Sequence, residues 1–162
     1  MERMNKNKIV KLIAAIIICQ IAAVIGSVFT APSIPTWYAS IQKPDFTPPN
    51  WVFAPVWTTL FLLMGISLYL IWDRGPEKKD VKLAISVFGI QLVLNVMWSV
   101  LFFGLQNPFF AFIEIIFLWI AILVNIILFY RISRKAGLLL VPYILWVSVA
   151  ALLNYSIWVL NI

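Results

Sequence analysis

Residues 109–130 read FFAFIEIIFLWIAILVNIILFY, twenty-two positions with one acidic side chain, Glu114, and no basic one. A helix of that length rises about 33 Å, enough to cross a hydrocarbon core of about 30 Å with every backbone hydrogen bond satisfied within itself. Four further runs share this character, at about 9–29, 51–72, 81–104 and 138–160. With 64% hydrophobic and 11% charged residues, the chain holds more apolar surface than a water-soluble core of this size would bury. The expected fold is an all-α integral membrane protein, a bundle of five transmembrane helices, with 1–162 as a single membrane domain.

Outward from those runs, the connections differ in kind. Residues 30–50 contain Pro32, Pro35, Pro44, Pro48 and Pro49, too much proline for a continuing helix, and read as an ordered lid or a surface loop. Residues 73–80 are charged, 105–108 make a short uncharged turn, and 131–137 are basic. Eleven Lys and Arg, from Arg3 to Lys135, fall on one side of the five runs and Lys43 alone on the other. The positive-inside rule therefore places the N-terminus in the cytoplasm and the C-terminus outside; the expected location is a bacterial cytoplasmic membrane. The first run is too long for the apolar core of a signal peptide and reads as a retained helix. The net charge of +6 belongs to membrane-flanking positions and points to lipid rather than nucleic acid.

The chain has no histidine and one cysteine, Cys19, so a disulfide framework, a Cys/His metal site and a histidine-based catalytic triad are excluded. What stands out is eight tryptophans. Trp37, Tyr38 and the proline-stiffened stretch 43–58 place aromatics at one membrane face, as an interfacial belt or as part of a binding site. Trp57 and Phe61 share a helix face continued by Met64, Gly65 and Leu68. Gln91, Asn95 and Ser99 repeat at the same spacing beside Trp98, and Trp146, Ala150 and Asn154 do so in the last run, flanked by Tyr143 and Trp158. Aromatic walls with a few amides suit a flat apolar ligand with a polar edge, and equally suit amides that bond one helix to another. Glu114, one to two turns from its helix end, must face protein, carry a proton or lie near the surface. Ala22, Ala23, Gly26 and Ser27 offer small-residue pairs for close helix contact.

Trp37-Tyr38, Lys43-Pro44, PPNWVFAPVWT (48–58), Met64-Gly65, QLVLNVMWSVLFFG (91–104), PYILW (142–146) and LNYSIW (153–158) together resemble the TspO/translocator protein family, the tryptophan-rich sensory proteins and peripheral benzodiazepine receptors. The resemblance implies a homodimer of five-helix bundles, surrounded by membrane lipid. It also implies a pocket under the first loop for porphyrins such as protoporphyrin IX, held as a ligand and not as a tightly bound cofactor. By position that pocket takes Trp37, Tyr38, Trp57, Phe61, Asn95, Trp98, Trp146 and Ala150, with no metal. The resemblance further implies light-dependent porphyrin breakdown involving Trp57 as an alternative role, and porphyrin or lipid transport as a second alternative. Two departures stand out. Phe46 replaces a tryptophan common in the family, and no basic residue follows Tyr155, which disfavours the family's cholesterol-recognition pattern.

Overall fold

The structure is a computed structural model that describes residues 6–162; Arg3, part of the charge asymmetry, lies outside them. Six helices make five crossings: α1 (Lys6–Ser33), α3 (Asn50–Trp72), α4 (Lys79–Ser99), α5 (Pro108–Ile132), and the pair α6 (Arg134–Leu139) and α7 (Val141–Leu160). All five are long and apolar enough to cross a bilayer. The remaining helix, α2 (Trp37–Ser40), lies within the proline-rich link.

Several boundaries differ from the expected ones. The first crossing continues past residue 29 to Ser33 and takes Pro32 into its last turn. The Thr36 hydroxyl donates to the Pro32 carbonyl at 2.8 Å and so supplies a donor that a helix C-terminus lacks. The link that remains, 34–49, forms an ordered lid. A turn is fixed by Thr47 donating from both backbone N–H and hydroxyl to the Pro44 carbonyl, at 3.0 and 2.7 Å. The basic connection 131–137 is mostly the helix α6. Hydropathy misses it because charged residues are good helix formers where a helix leaves the lipid.

Two irregularities shape the end of the bundle that carries the lid. After Ser99, α4 widens into a π turn, Val100–Gly104, with Leu105 N–H donating to the Val100 carbonyl at 2.7 Å. Beyond it α5 restarts cleanly, because Asn107 Oδ1 accepts the Phe110 N–H at 3.1 Å and Pro108 opens the first turn. The last crossing breaks at Leu140, next to Pro142 in the first turn of α7. Its α6 part packs on α3, where the Ser67 hydroxyl donates to the Ala136 carbonyl at 2.8 Å, and its α7 part packs along α5. The break thus holds the last crossing to α3 at the basic end and lets it diverge from α3 toward the lid.

The crossings meet closely where side chains are smallest. A Cβ built on Gly65 of α3 would stand 2.7 Å from the Ile16 Cα of α1, so only glycine permits this approach. Gly104 is similarly tight, its Cβ position 2.9 Å from the Phe29 ring. At the basic end Lys11 lies 3.5 Å from Asp73, a part-exposed pair of small energetic weight.

Gly65→Ala should cost about 1–3 kcal/mol through forced separation of two backbones. Gly89→Ala, with nothing within 4 Å of its new methyl, should be neutral or stabilising by up to about 1 kcal/mol. Thermal unfolding of the two variants in one detergent compares them; equal midpoints would contradict the packing.

Candidate functional site

Between α1, α3, α4 and α7, under the lid, lies a cavity of about 280 Å³. It exists because α7 leans away from α3 after Leu140, and only large side chains close the gap. Phe53 meets Trp146 edge-on at 5.9 Å, and Trp57 meets Tyr143 at 6.3 Å. Seven of the eight residues predicted from sequence line this cavity: Tyr38, Trp57, Phe61, Asn95, Trp98, Trp146 and Ala150. Trp37 does not. Its ring stands against Phe102 at 5.5 Å, behind the lining, where it supports the lid instead.

The polar side chains at this depth form two separate networks. In the first, Asn95 Nδ2 donates to the Tyr143 hydroxyl at 2.8 Å, and that hydroxyl donates to Gln91 Oε1 at 3.0 Å. This ties α4 to α7 and leaves the Asn95 amide oxygen for the cavity. In the second, Trp98 Nε1 donates to Asn154 Oδ1 at 3.0 Å while Asn154 Nδ2 donates to the Pro108 carbonyl at 2.7 Å. The Trp98 indole is therefore fixed as a wall, with its N–H already engaged. The Trp146 N–H, by contrast, is buried without an acceptor among the described residues. Both readings of the amides hold together: they join helices, and two of them, Asn95 and Asn154, also line the cavity.

Three features of the site escaped sequence reasoning. The α1 wall is made of Ala22, Ala23, Gly26, Ser27, Thr30 and Ala31, small residues that create room as well as close contact. Their spacing was visible, yet it did not say whether a partner helix or empty space lay opposite. Phe102 and Phe103, both within the π turn, also line the cavity. Phe102 is the hub, stacked on Trp98 at 5.2 Å and edge-on to Phe103 at 4.8 Å. Finally, Ser27 and Ala31 of α1 and Ala54 and Thr58 of α3 are lining residues that are also exposed, so the cavity has a side edge between those helices.

The lid contributes Tyr38, whose ring is 4% exposed and tilted against Phe103 at 5.7 Å. Burial pushes its phenol above the ordinary tyrosine range, so it stays neutral. Lys43 folds back over this ring, its ammonium 4.8 Å from the centroid and hydrogen-bonded to the Ile41 carbonyl at 3.0 Å. Phe46 is 57% exposed and lies outside the cavity lining. Glu114 is on the protein-facing side of α5, buried, with neither carboxyl oxygen partnered among the described residues. No group of three or more His, Cys, Asp or Glu side chains suited to a metal occurs among the described residues.

Comparison with known proteins bears on this arrangement. The model of the TspO/MBR family matches residues 15–159. Tryptophan-rich protein TspO of Archaeoglobus fulgidus is 48% identical over 154 residues, which is 94% of this chain and 98% of that protein. The human translocator protein is 34% identical, over 83% of this chain and 80% of its own length. The tryptophan-rich sensory protein of Cereibacter sphaeroides is 30% identical over 77% of each chain.

Tyr143→Phe would leave Asn95 Nδ2 and Gln91 Oε1 without their shared partner. We expect a loss of about 1–3 kcal/mol of stability, the cost of stranding buried polar groups. Thermal unfolding in detergent measures it, and a midpoint equal to that of the parent protein would remove this tie from the account.

Proposed function

The chain belongs to the TspO/MBR family, and on that premise we propose that this integral membrane protein is a receptor that binds porphyrins, protoporphyrin IX foremost, in the cavity under its lid. A membrane receptor role follows from the family. The porphyrin reading is carried by one observation: indole and phenyl rings from four separate elements converge on a single apolar cavity with an amide at its side. Flat aromatic faces stack on a macrocycle, while the Asn95 carbonyl offers a polar group to its edge. Trp98 orients the ligand by its face alone.

Breakdown of the bound porphyrin under light is the second reading, and the position of Trp57 favours it. Its ring lies in the cavity wall beside Phe61 at 5.8 Å, where an excited ligand would meet it. The chemistry would then belong to ligand, light and oxygen, since the lining offers no acid or base pair. Transport, which the relatives called translocator protein bring to mind by name, has less support. Five crossings without an internal repeat do not supply two alternating halves. The charge asymmetry supports a cytoplasmic N-terminus, and we read the membrane as a bacterial cytoplasmic one. The apolar outer faces of the helices suit membrane lipid and a second copy of the chain.

Protoporphyrin IX should quench tryptophan fluorescence saturably, with one site per chain. Asn95→Ala should weaken it about tenfold, the effect of one hydrogen bond to a buried polar group. Ala150→Phe, which fills the cavity, should abolish it. Unchanged quenching in both variants would place the ligand elsewhere. Illumination separates the two roles: Trp57→Phe should form less oxidised porphyrin than the parent if breakdown is the activity, and the same amount if binding is all there is.

A further inference from the structure

The lid is held to the rest of the molecule by very few polar contacts. Its hydrogen bonds within 34–49 are local, running from Thr36 to the end of α1, from Lys43 to the Tyr38 and Ile41 carbonyls, and from Thr47 to Pro44. One side chain from elsewhere reaches in among the described residues, Asn161, just past the end of α7. Asn161 Oδ1 accepts the Gln42 N–H at 3.0 Å, and Asn161 Nδ2 donates to the Gln42 carbonyl at 2.9 Å. Nδ2 also donates to the Ile157 carbonyl at 2.7 Å, which fixes the amide on the helix.

We propose that Asn161 is the latch of the cavity: a two-point amide clasp on the Gln42 backbone that holds the lid shut and whose release sets how fast the cavity exchanges its contents. The clasp requires a side chain with a donor and an acceptor side by side at this length, which asparagine alone provides. Gln42 and Asn161 are both exposed, so water competes for both bonds. Such a fastening opens readily, as a gate must. The remaining hold on the lid is apolar, Trp37 and Tyr38 resting on Phe102 and Phe103. A cavity of about 280 Å³ is at the lower edge of the size of ligand sites, about 300–1,000 Å³. A macrocycle must therefore lift the roof or enter between α1 and α3. That size argument rests on the porphyrin reading; the latch itself does not.

A thiol placed in the cavity tests the latch without a ligand. Ala150→Cys, in a Cys19→Ala background that removes the single native thiol, is reacted in detergent with a charged, water-soluble methanethiosulfonate. Adding Asn161→Ala should raise the modification rate about tenfold, as expected for losing one to two hydrogen bonds. Asn161→Asp, which keeps the acceptor and loses the donor, should fall between. Hydrogen exchange at the Gln42 amide should quicken in step. Equal modification rates in all three chains would overturn the latch and assign access to the edge between α1 and α3. A faster rate without faster Gln42 exchange would overturn it as well. Protoporphyrin IX protection of the same thiol is a separate reading: its absence would remove the porphyrin proposal and leave the latch result as measured.

Discussion

Inside a bilayer, apolar side chains gain little by leaving lipid for one another, so a bundle is specified by close backbone contact and by polar groups that must find partners. Here the constraint concentrates on Tyr143. Its hydroxyl accepts a hydrogen bond from Asn95 Nδ2 and donates one to Gln91 Oε1, joining the last crossing to the third at mid-depth. Ser67 joins the same crossing to the second near the basic end. Between these ties and the lid no polar bond links α3 to α7 among the described residues, and that is where the cavity lies.

The walls follow from what is left to fill the gap. Small residues on α1 keep one side low, and the rings of Trp57, Trp98 and Trp146 make the others. The Asn154 bond to Trp98 and the π turn that presents Phe102 give rigidity to a surface that would otherwise be a set of mobile rings. Preorganised aromatic faces lose little entropy on meeting a flat ligand, which is the physical advantage of this many tryptophans in so short a chain. The lid then differs from the walls in kind, resting on a few rings and one exposed amide clasp.

Much of this was legible residue by residue. Trp57 and Phe61, or Trp146 and Ala150, share a face because they stand four apart on a helix, and seven of the eight residues assigned by resemblance do line one cavity. Trp37 stands outside that lining, and its position in a proline-rich link carries no period from which a direction could be read. Phe102 and Phe103 were passed over because they lie in the π turn, where the regular helical spacing used to read faces does not hold. The helix at 134–139 was missed because its basic residues resemble a loop to any measure of hydropathy.

The amino-acid sequence by itself determined the five crossings, the side on which basic residues gather and the helix faces that turn inward, since these depend on length, charge and the period of a helix. Only the tertiary structure decided that the last crossing breaks at Leu140 and parts from α3, that Trp98 spends its N–H on Asn154 while Trp146 does not, and that Asn161 grips Gln42. The physical reason is distance along the chain. Asn161 and Gln42 are 119 residues apart, and no local pattern can encode which backbone a distant side chain will meet.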